Sequence, residues 1–322
     1  MIRAGVDIGG TKIKLGLVKE EDGTLMAKGK IPFVHEGYKV VFGQIAAELN
    51  RLLEETGHSI EEVGSMGLAV PGSIDREQGR VIHAHNLDFH DVPAVVEIKR
   101  HFPRIPVYLG NDANAAALGE LCCGAFRGYR TAVLLTIGTG VGGGIICEGK
   151  MFNGGQDHGV ELGHMMLKYG GLRCSCGNYG CVEAYCTATW LMEEGRKLID
   201  DGKKSLVGER AQGNPQKVDG KMVVDAARDK DPYAMEIMET FVDNLSAAIT
   251  SISALMDPEI IAIGGGISGA GDILFQPLRE KVKEKSFFKT EYNIVPAHLG
   301  NDAGIIGAAY LYNNGGLNRK GG

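Results

Sequence analysis

One unit occurs twice in this chain, and the two copies lie more than a hundred residues apart. In the first, Ala4, Val6 and Ile8 alternate as a strand, Gly9-Gly10 make a turn, and Ile13, Leu15 and Leu17 alternate in a second strand. In the second, Ala132-Val133-Leu134-Leu135 runs into Gly138-Thr139-Gly140 and on to Gly142-Gly143-Gly144-Ile145-Ile146. Thr136-Ile137-Gly138-Thr139 then lies against Asp7-Ile8-Gly9-Gly10. The period is too long for a solenoid, whose repeats run about 20–50 residues. Either two similar α/β lobes each offer a glycine turn to one ligand, or two glycine-rich hairpins are alike by chance.

Only the first copy carries a carboxylate. Asp7 sits inside an otherwise apolar strand, where it needs a partner or a cation. Gly9, Gly10, Thr11 and Lys12 place backbone N–H groups, a hydroxyl and an ammonium at one turn. That chemistry suits a phosphate chain with its magnesium ion; a polar hairpin tip is the plainer reading. A third glycine turn, Gly264-Gly265-Gly266, follows a strand over 260–263 and precedes a helix from near Asp272. Glycine there lets a flat ring or a helix come close to backbone. The chain's 48 glycines in 322 residues, about twice the usual ≈ 7% share, gather in such clusters.

Strands over 25–31 and 63–70 alternate with helices over 43–55 and 92–102, which argues α/β. Residues 75–80 read as a turn and 83–87 as a loop. A β-branched and apolar run from Val107 stops at Gly110, and an alanine-rich helix begins just after Asp112. A carboxylate at such a junction either caps the helix or faces a ligand at the mouth of the sheet. The stripe through 232–256 reads as a long core helix, 201–220 as a surface excursion, 302–312 as a final helix and 315–322 as a frayed tail. A chain of this length calls for two domains or one large α/β unit.

A formal charge of −6 gives no electrostatic footprint for nucleic acid. No apolar run approaches the ~20 residues of a membrane helix, and Met1-Ile2-Arg3 leads into a strand and not a signal peptide. A cytoplasmic protein without membrane or nucleic-acid partners is expected. Seven cysteines, an odd number in a reducing compartment, put disulfides second to other readings. Cys174, Cys176 and Cys181 fall within eight residues, punctuated by Gly177 and Gly180, and His164 lies ten residues upstream. Three thiolates and one imidazole make a closed tetrahedral zinc set; buried free thiols or a redox pair are the other readings. Glu161 and Glu183 flank the cluster and can accept hydroxyl hydrogen bonds from a polyol, or be solvated loop charges. Cys122, Cys123, Cys147 and Cys186 read as small core residues, and His158 has no nameable partner.

Taken together, these pieces resemble the sugar kinases of the ROK family (repressors, open reading frames, kinases), its bacterial glucokinases most. The matching stretches are Asp7 through Lys12, Val70-Pro71-Gly72, Gly110 through Asn114, Ile137 through Gly144, Glu161 through His164, Cys174 through Glu183, and Ile263 through Gly266. They stand in the family's order across nearly the whole chain. The resemblance implies an α/β, actin/hexokinase-like (ribonuclease H-type) two-lobed fold with an interlobe cleft. One lobe would comprise 1–117 plus 302–322, the other 118–301. It implies Asp112 as the catalytic base that takes the proton from a sugar 6-hydroxyl as it attacks the γ-phosphate of ATP. Gly72, Asn86, Asn111, Asp112, Glu161, His164 and Glu183 would form the sugar site. Asp7, Gly9, Gly10, Thr11, Lys12, Gly138, Thr139 and Gly140 would serve the phosphates with Mg2+, and Gly264, Gly265 and Gly266 the adenosine. His164, Cys174, Cys176 and Cys181 would hold a structural Zn2+, and the chain would form a homodimer or homotetramer.

The chain departs from the family pattern at Cys122-Cys123, Phe126 and Val160, which bears on sugar preference. Glucose is the first substrate implied, with fructose, mannose, allose, N-acetylmannosamine or N-acetylglucosamine as alternatives. A sugar-responsive repressor would need a helix-turn-helix ahead of the hairpin, and the hairpin begins at residue 2. An actin-like structural ATPase would lack the sugar-facing cluster.

Overall fold

The opening hairpin folds as its alternation dictates. In the computed structural model, which describes residues 1–155 and 159–313, β1 (Ile2–Ile8) and β2 (Lys12–Lys19) pair antiparallel, with Asp7 opposite Lys14. β3 (Leu25–Pro32) joins β2, and α1 (Tyr38–Thr56) carries the chain across to β4 (Val63–Val70), parallel to β1. α1 buries Val41, Phe42, Ile45, Leu49, Leu52 and Leu53 and ends at a left-handed Gly57. It starts five residues before the expected Gly43, because Gly37 at its N-terminus supplies no capping side chain for a sequence reading to find.

Where a turn and a loop are expected, three short strands form a separate antiparallel sheet: β5 (Ser73–Asp75), β6 (Arg80–Ala84) and β7 (Phe89–Val92). Only Ile74, Val81, Ala84, Phe89 and Val92 face inward, too few for a periodic signal. After α2 (Ala94–Lys99), β8 (Val107–Asn111) completes a sheet of order β3-β2-β1-β4-β8 and leads into α3 (Asp112–Cys123). Phe126, one of the departures noted above, is fully buried. Burial pushes the Cys122 thiol up to about 12.

The second copy of the hairpin is β9 (Ala132–Ile137) and β10 (Val141–Cys147), and β11 (Lys150–Phe152) pairs with the latter. Four helices follow: α4 (Ala188–Asp200), α5 (Leu206–Arg210), α6 (Gly220–Arg228) and α7 (Pro232–Met256). α5 lies in the segment expected as a surface excursion. Ser205 caps it, and Val207, Ala211 and Val218 of that segment are buried, an amphipathic turn too short to stand out by period. β12 (Ile260–Gly264), α8 (Asp272–Lys285) and β13 (Asn293–Pro296) complete a second sheet of order β11-β10-β9-β12-β13. In it β9, β12 and β13 run parallel. Last, α9 (Ala303–Ala309) packs on β1, β4 and α3.

The chain divides into two compact units. Unit 1 comprises the described residues of Met1–Arg130, Gly144–Val160 and His298–Gly322, and unit 2 comprises Thr131–Gly143 and Glu161–Ala297. These bounds differ from a division at 117/118, a point inside α3, the helix that packs with α9. His158 and the 315–322 tail lie outside the described residues. No helix among the described residues is long and apolar enough to cross a membrane.

Candidate functional site

In unit 1 the carboxyl ends of three neighbouring parallel strands carry the candidate residues, the edge at which open α/β sheets take ligands. β1 ends at the Gly9–Lys12 turn, β4 leads into Pro71-Gly72, and β8 ends at Asn111 before Asp112. The Gly9 N–H donates to the Lys12 carbonyl (3.1 Å), closing a tight tip from which Thr11 and Lys12 are exposed. Asp7 accepts from the Lys14 ammonium at 3.0 Å. Its need for a partner is therefore met by a lysine directly across the hairpin. Sequence reading passed over Lys14, which counting residues back from the Gly9-Gly10 turn would have found.

At the start of α3 the structure corrects one expectation. The N-cap is Asn111 and not Asp112: the Asn111 Oδ1 accepts from the N–H groups of Ala113 (2.9 Å) and Asn114 (3.2 Å). Asp112 is the first helical residue, with its Oδ1 accepting from Ala113 N–H at 2.8 Å. The Asn111 amide also reaches the Gly72 carbonyl at 3.5 Å. Asn86 belongs to the same unit, and a Cβ built on Gly10 would stand 3.0 Å from both its Cβ and its carbonyl oxygen. The hairpin tip thus rests on the turn that presents Asn86. Asn114 is buried, and its Oδ1 has no hydrogen-bond partner among the described residues.

In unit 2 the same edge carries the other two glycine turns. β9 ends before Gly138-Thr139-Gly140, and β12 ends at Gly264. A Cβ on Gly265 would stand 2.2 Å from the Ile137 carbonyl oxygen, so these two turns approach through bare backbone. Glu183 joins the Gly138–Gly140 turn to the cysteine cluster. Its Oε2 accepts from Val141 N–H (3.0 Å) and its Oε1 from the Ser175 hydroxyl (2.5 Å), 3.7 Å from Cys174 Sγ. Glu161 is exposed at its rim, yet enough protein surrounds its carboxyl for desolvation to raise it above the ordinary glutamate value. The His164 imidazole opposes that rise and Glu183 adds to it.

The cysteine cluster has the dimensions of a tetrahedral centre. His164, Cys174, Cys176 and Cys181 offer ligand atoms all within 4.8 Å of one another. Cys176 and Cys181 sulfurs lie 3.8 Å apart, and Cys174 Sγ is 3.7 Å from His164 Nδ1. Zn–S and Zn–N bonds of about 2.3 and 2.05 Å at the tetrahedral angle give edges of about 3.8 and 3.6 Å. Gly180 makes the knot possible. Its φ is +81°, and a Cβ there would stand 1.7 Å from the Lys168 carbonyl oxygen. Desolvation, with hydrogen bonds inside the cluster, pushes the Cys181 thiol up to about 12, whereas the Asn178 backbone N–H lowers Cys176. A divalent cation bound among them would hold all three sulfurs as thiolates and remove that cost.

The sequence profile of the ROK family matches residues 3–314. The chain belongs to the ROK family. It is 42% identical over 315 residues to a glucokinase of Thermotoga maritima, covering 95% of this chain and 96% of that relative. Its structure is similar to that of a ROK family glucokinase from Streptomyces griseus in complex with glucose and AMPPNP. The TM-score is 0.82 at 30% identity, covering 97% of this chain and 99% of the other. A xylose repressor of Caldicellulosiruptor bescii is 30% identical over 229 residues, 71% of this chain and 57% of the repressor. The fold is the α/β, actin/hexokinase-like fold of the ROK hexokinases.

Proposed function

We propose that this chain transfers the γ-phosphoryl group of ATP to the 6-hydroxyl of a hexose, glucose first among them, with Asp112 as general base. The observation that carries this reading is the Asn111-Asp112 junction at the carboxyl end of β8. Asn111 caps the helix and touches Gly72, and the acid stands beside it at the sheet edge. Similarity to a structure holding glucose and AMPPNP supports both substrates. Phosphoryl transfer asks a protein mainly for positioning and charge stabilisation, so one base is enough. In this reading Asn86, Asn111, Asp112, Glu161, His164 and Glu183 hold the sugar hydroxyls, with Gly72 packed beneath them. The Gly9–Lys12 and Gly138–Gly140 turns receive phosphates, magnesium enters with the nucleotide near Asp7, and Gly264 to Gly266 meet the adenosine. A homodimer or homotetramer is the matching assembly.

ADP release measured with ATP and a panel of hexoses tests the proposal, with glucose expected to give the highest kcat/KM. Hexose-independent ATP turnover would instead make this an actin-like ATPase. The 30% identity to a repressor gives a second reading, a sugar-responsive DNA-binding protein. Sequence-specific DNA binding without phosphorylation would favour it.

Zinc at His164, Cys174, Cys176 and Cys181 would be structural in this reading. It would fix the His164 ring and, through Cys174, the Ser175–Glu183 contact. One zinc per chain is expected by elemental analysis of the purified protein. Chelation is expected to lower the thermal midpoint and weaken glucose binding by about tenfold or more, the scale seen when a supporting shell is lost. A metal-free protein with unchanged stability and glucose affinity would remove zinc from the account.

A further inference from the structure

Three of the chain's nine histidines fall between positions 83 and 90, a concentration the proposed kinase reaction does not use. His83 on β6 stands directly across from His90 on β7. Their Nδ1 atoms face each other at 3.2 Å, with ring centroids 4.8 Å apart, and both side chains are exposed. The His85 ring follows at 6.2 Å from that of His83. On the far side of His90, its Nε2 faces the Asp88 carboxylate at 3.5 Å. Asp88 itself is held in the left-handed region, with φ of 54°.

We propose that His83 and His90 form a second metal site, binding one borderline divalent transition ion such as Zn2+ between their Nδ1 atoms. Metal–nitrogen bonds of about 2.0–2.1 Å across a 3.2 Å gap put the N–M–N angle at roughly 100–105°, close to tetrahedral. Asp88 supplies what a ligating histidine needs behind it: a carboxylate on the other ring nitrogen keeps the proton on Nε2 and leaves the Nδ1 lone pair facing the ion. Without an ion, two Nδ1 atoms this close must share one proton, donated by one ring to the other. Binding moves the His83 proton to its Nε2, so no oxidant or other reactant is involved. Solvent completes the coordination, and imidazole-rich sites of this kind select the zinc, copper and nickel group over magnesium or calcium. The site lies wholly in unit 1, apart from the cysteine cluster, and its existence does not depend on the kinase reading.

Equilibrium dialysis of zinc-loaded protein against further Zn2+, read by elemental analysis, tests the proposal. The native chain is expected to take up one ion beyond that held by the cysteine cluster. H83Q and H90Q are each expected to abolish that uptake, and D88N to weaken it on the order of tenfold. H58Q, which alters a half-buried histidine elsewhere in unit 1 that faces a glutamate (Glu62, 3.1 Å), is expected to leave it intact. Zinc should perturb the imidazole proton resonances of His83 and His90 first. Equal uptake by the native chain, H83Q and H90Q would overturn the assignment, as would loss of the ion in H58Q. Unchanged far-ultraviolet circular dichroism and an unchanged first zinc establish that the variants are folded.

Discussion

Replacing Asp112 by asparagine is expected to lower kcat by about 10²–10⁴-fold, the usual cost of losing a general base, while leaving the fold nearly intact. The expectation of intact structure follows from the position of the cap. Asn111, and not Asp112, accepts from the N–H groups of Ala113 and Asn114. An amide oxygen at 112 can still accept from Ala113 N–H as the carboxylate does at 2.8 Å. What disappears is a negative charge in the first turn, worth about 0.3–1 kcal/mol at an exposed helix N-terminus, and the capacity to take a proton. Asn111→Ala is the informative contrast. It removes the cap, at about 0.5–2 kcal/mol, and the contact to Gly72, so it should lower stability and weaken sugar binding together. Steady-state kinetics, glucose titration by calorimetry and a thermal melt on both variants separate the roles. Near-normal turnover in Asp112→Asn would refute the general-base assignment; a lowered melting point with normal turnover would make Asp112 structural.

That one-residue shift of the cap shows what sequence could and could not resolve. Asn and Asp are almost equally good N-caps, so Gly110-Asn111-Asp112 announces a helix start without saying which side chain takes the bonds. By contrast α7 is legible to the residue. Asp231 accepts from Ala234 N–H, Pro232 sits where its missing N–H is harmless, and Met238, Phe241, Leu245, Ile249 and Ile252 stay buried. Met235 on the same stripe is exposed, since a stripe drawn by period alone is wider than the face α7 covers. The cysteine cluster was readable because glycine spacing and sulfur identity act locally. Glu120 was not: it is fully buried in α3, where its carboxylate accepts from the N–H groups of Ala125, His298 and Leu299. Two of those three donors come from 178 and 179 residues away, beyond any local pattern. Ser175 was hidden as a partner of Glu183 for a different reason: the two are only eight residues apart, but a serine among the cysteines carries no signal of its own until the knot folds.

Gly307→Ala is expected to destabilise unit 1 by about 3 kcal/mol or more, at or above the top of the range for overpacked cores. On an exposed helix the same change would stabilise by about 0.5–1 kcal/mol, so the sign comes from packing alone. A Cβ on Gly307 would stand 1.6 Å from the Ala115 carbonyl oxygen and 2.4 Å from its carbon, both backbone atoms that no rotamer change can move. To make room, α9 must lift from α3. It is also pinned on the sheet, where Gly5 and Gly67 would meet the Ile305 and Ala308 carbonyl oxygens at 1.9 and 1.8 Å if they carried a Cβ. Lifting α9 therefore opens three close contacts at once. Ala115 lies three residues after Asp112, so the strain reaches the start of α3 and turnover should fall along with stability. Gly43→Ala in α1 is the matched control: nothing lies within 4 Å of its built Cβ, and it should hold or gain stability. Urea denaturation followed by far-ultraviolet circular dichroism reads both. Trp190, the sole tryptophan, sits in α4 of unit 2 and reports on that unit by fluorescence. Equal dichroism midpoints for the native chain and Gly307→Ala would mean that α9 does not bear on α3 through bare backbone, and the link from that contact to the Asp112 junction would fall with it.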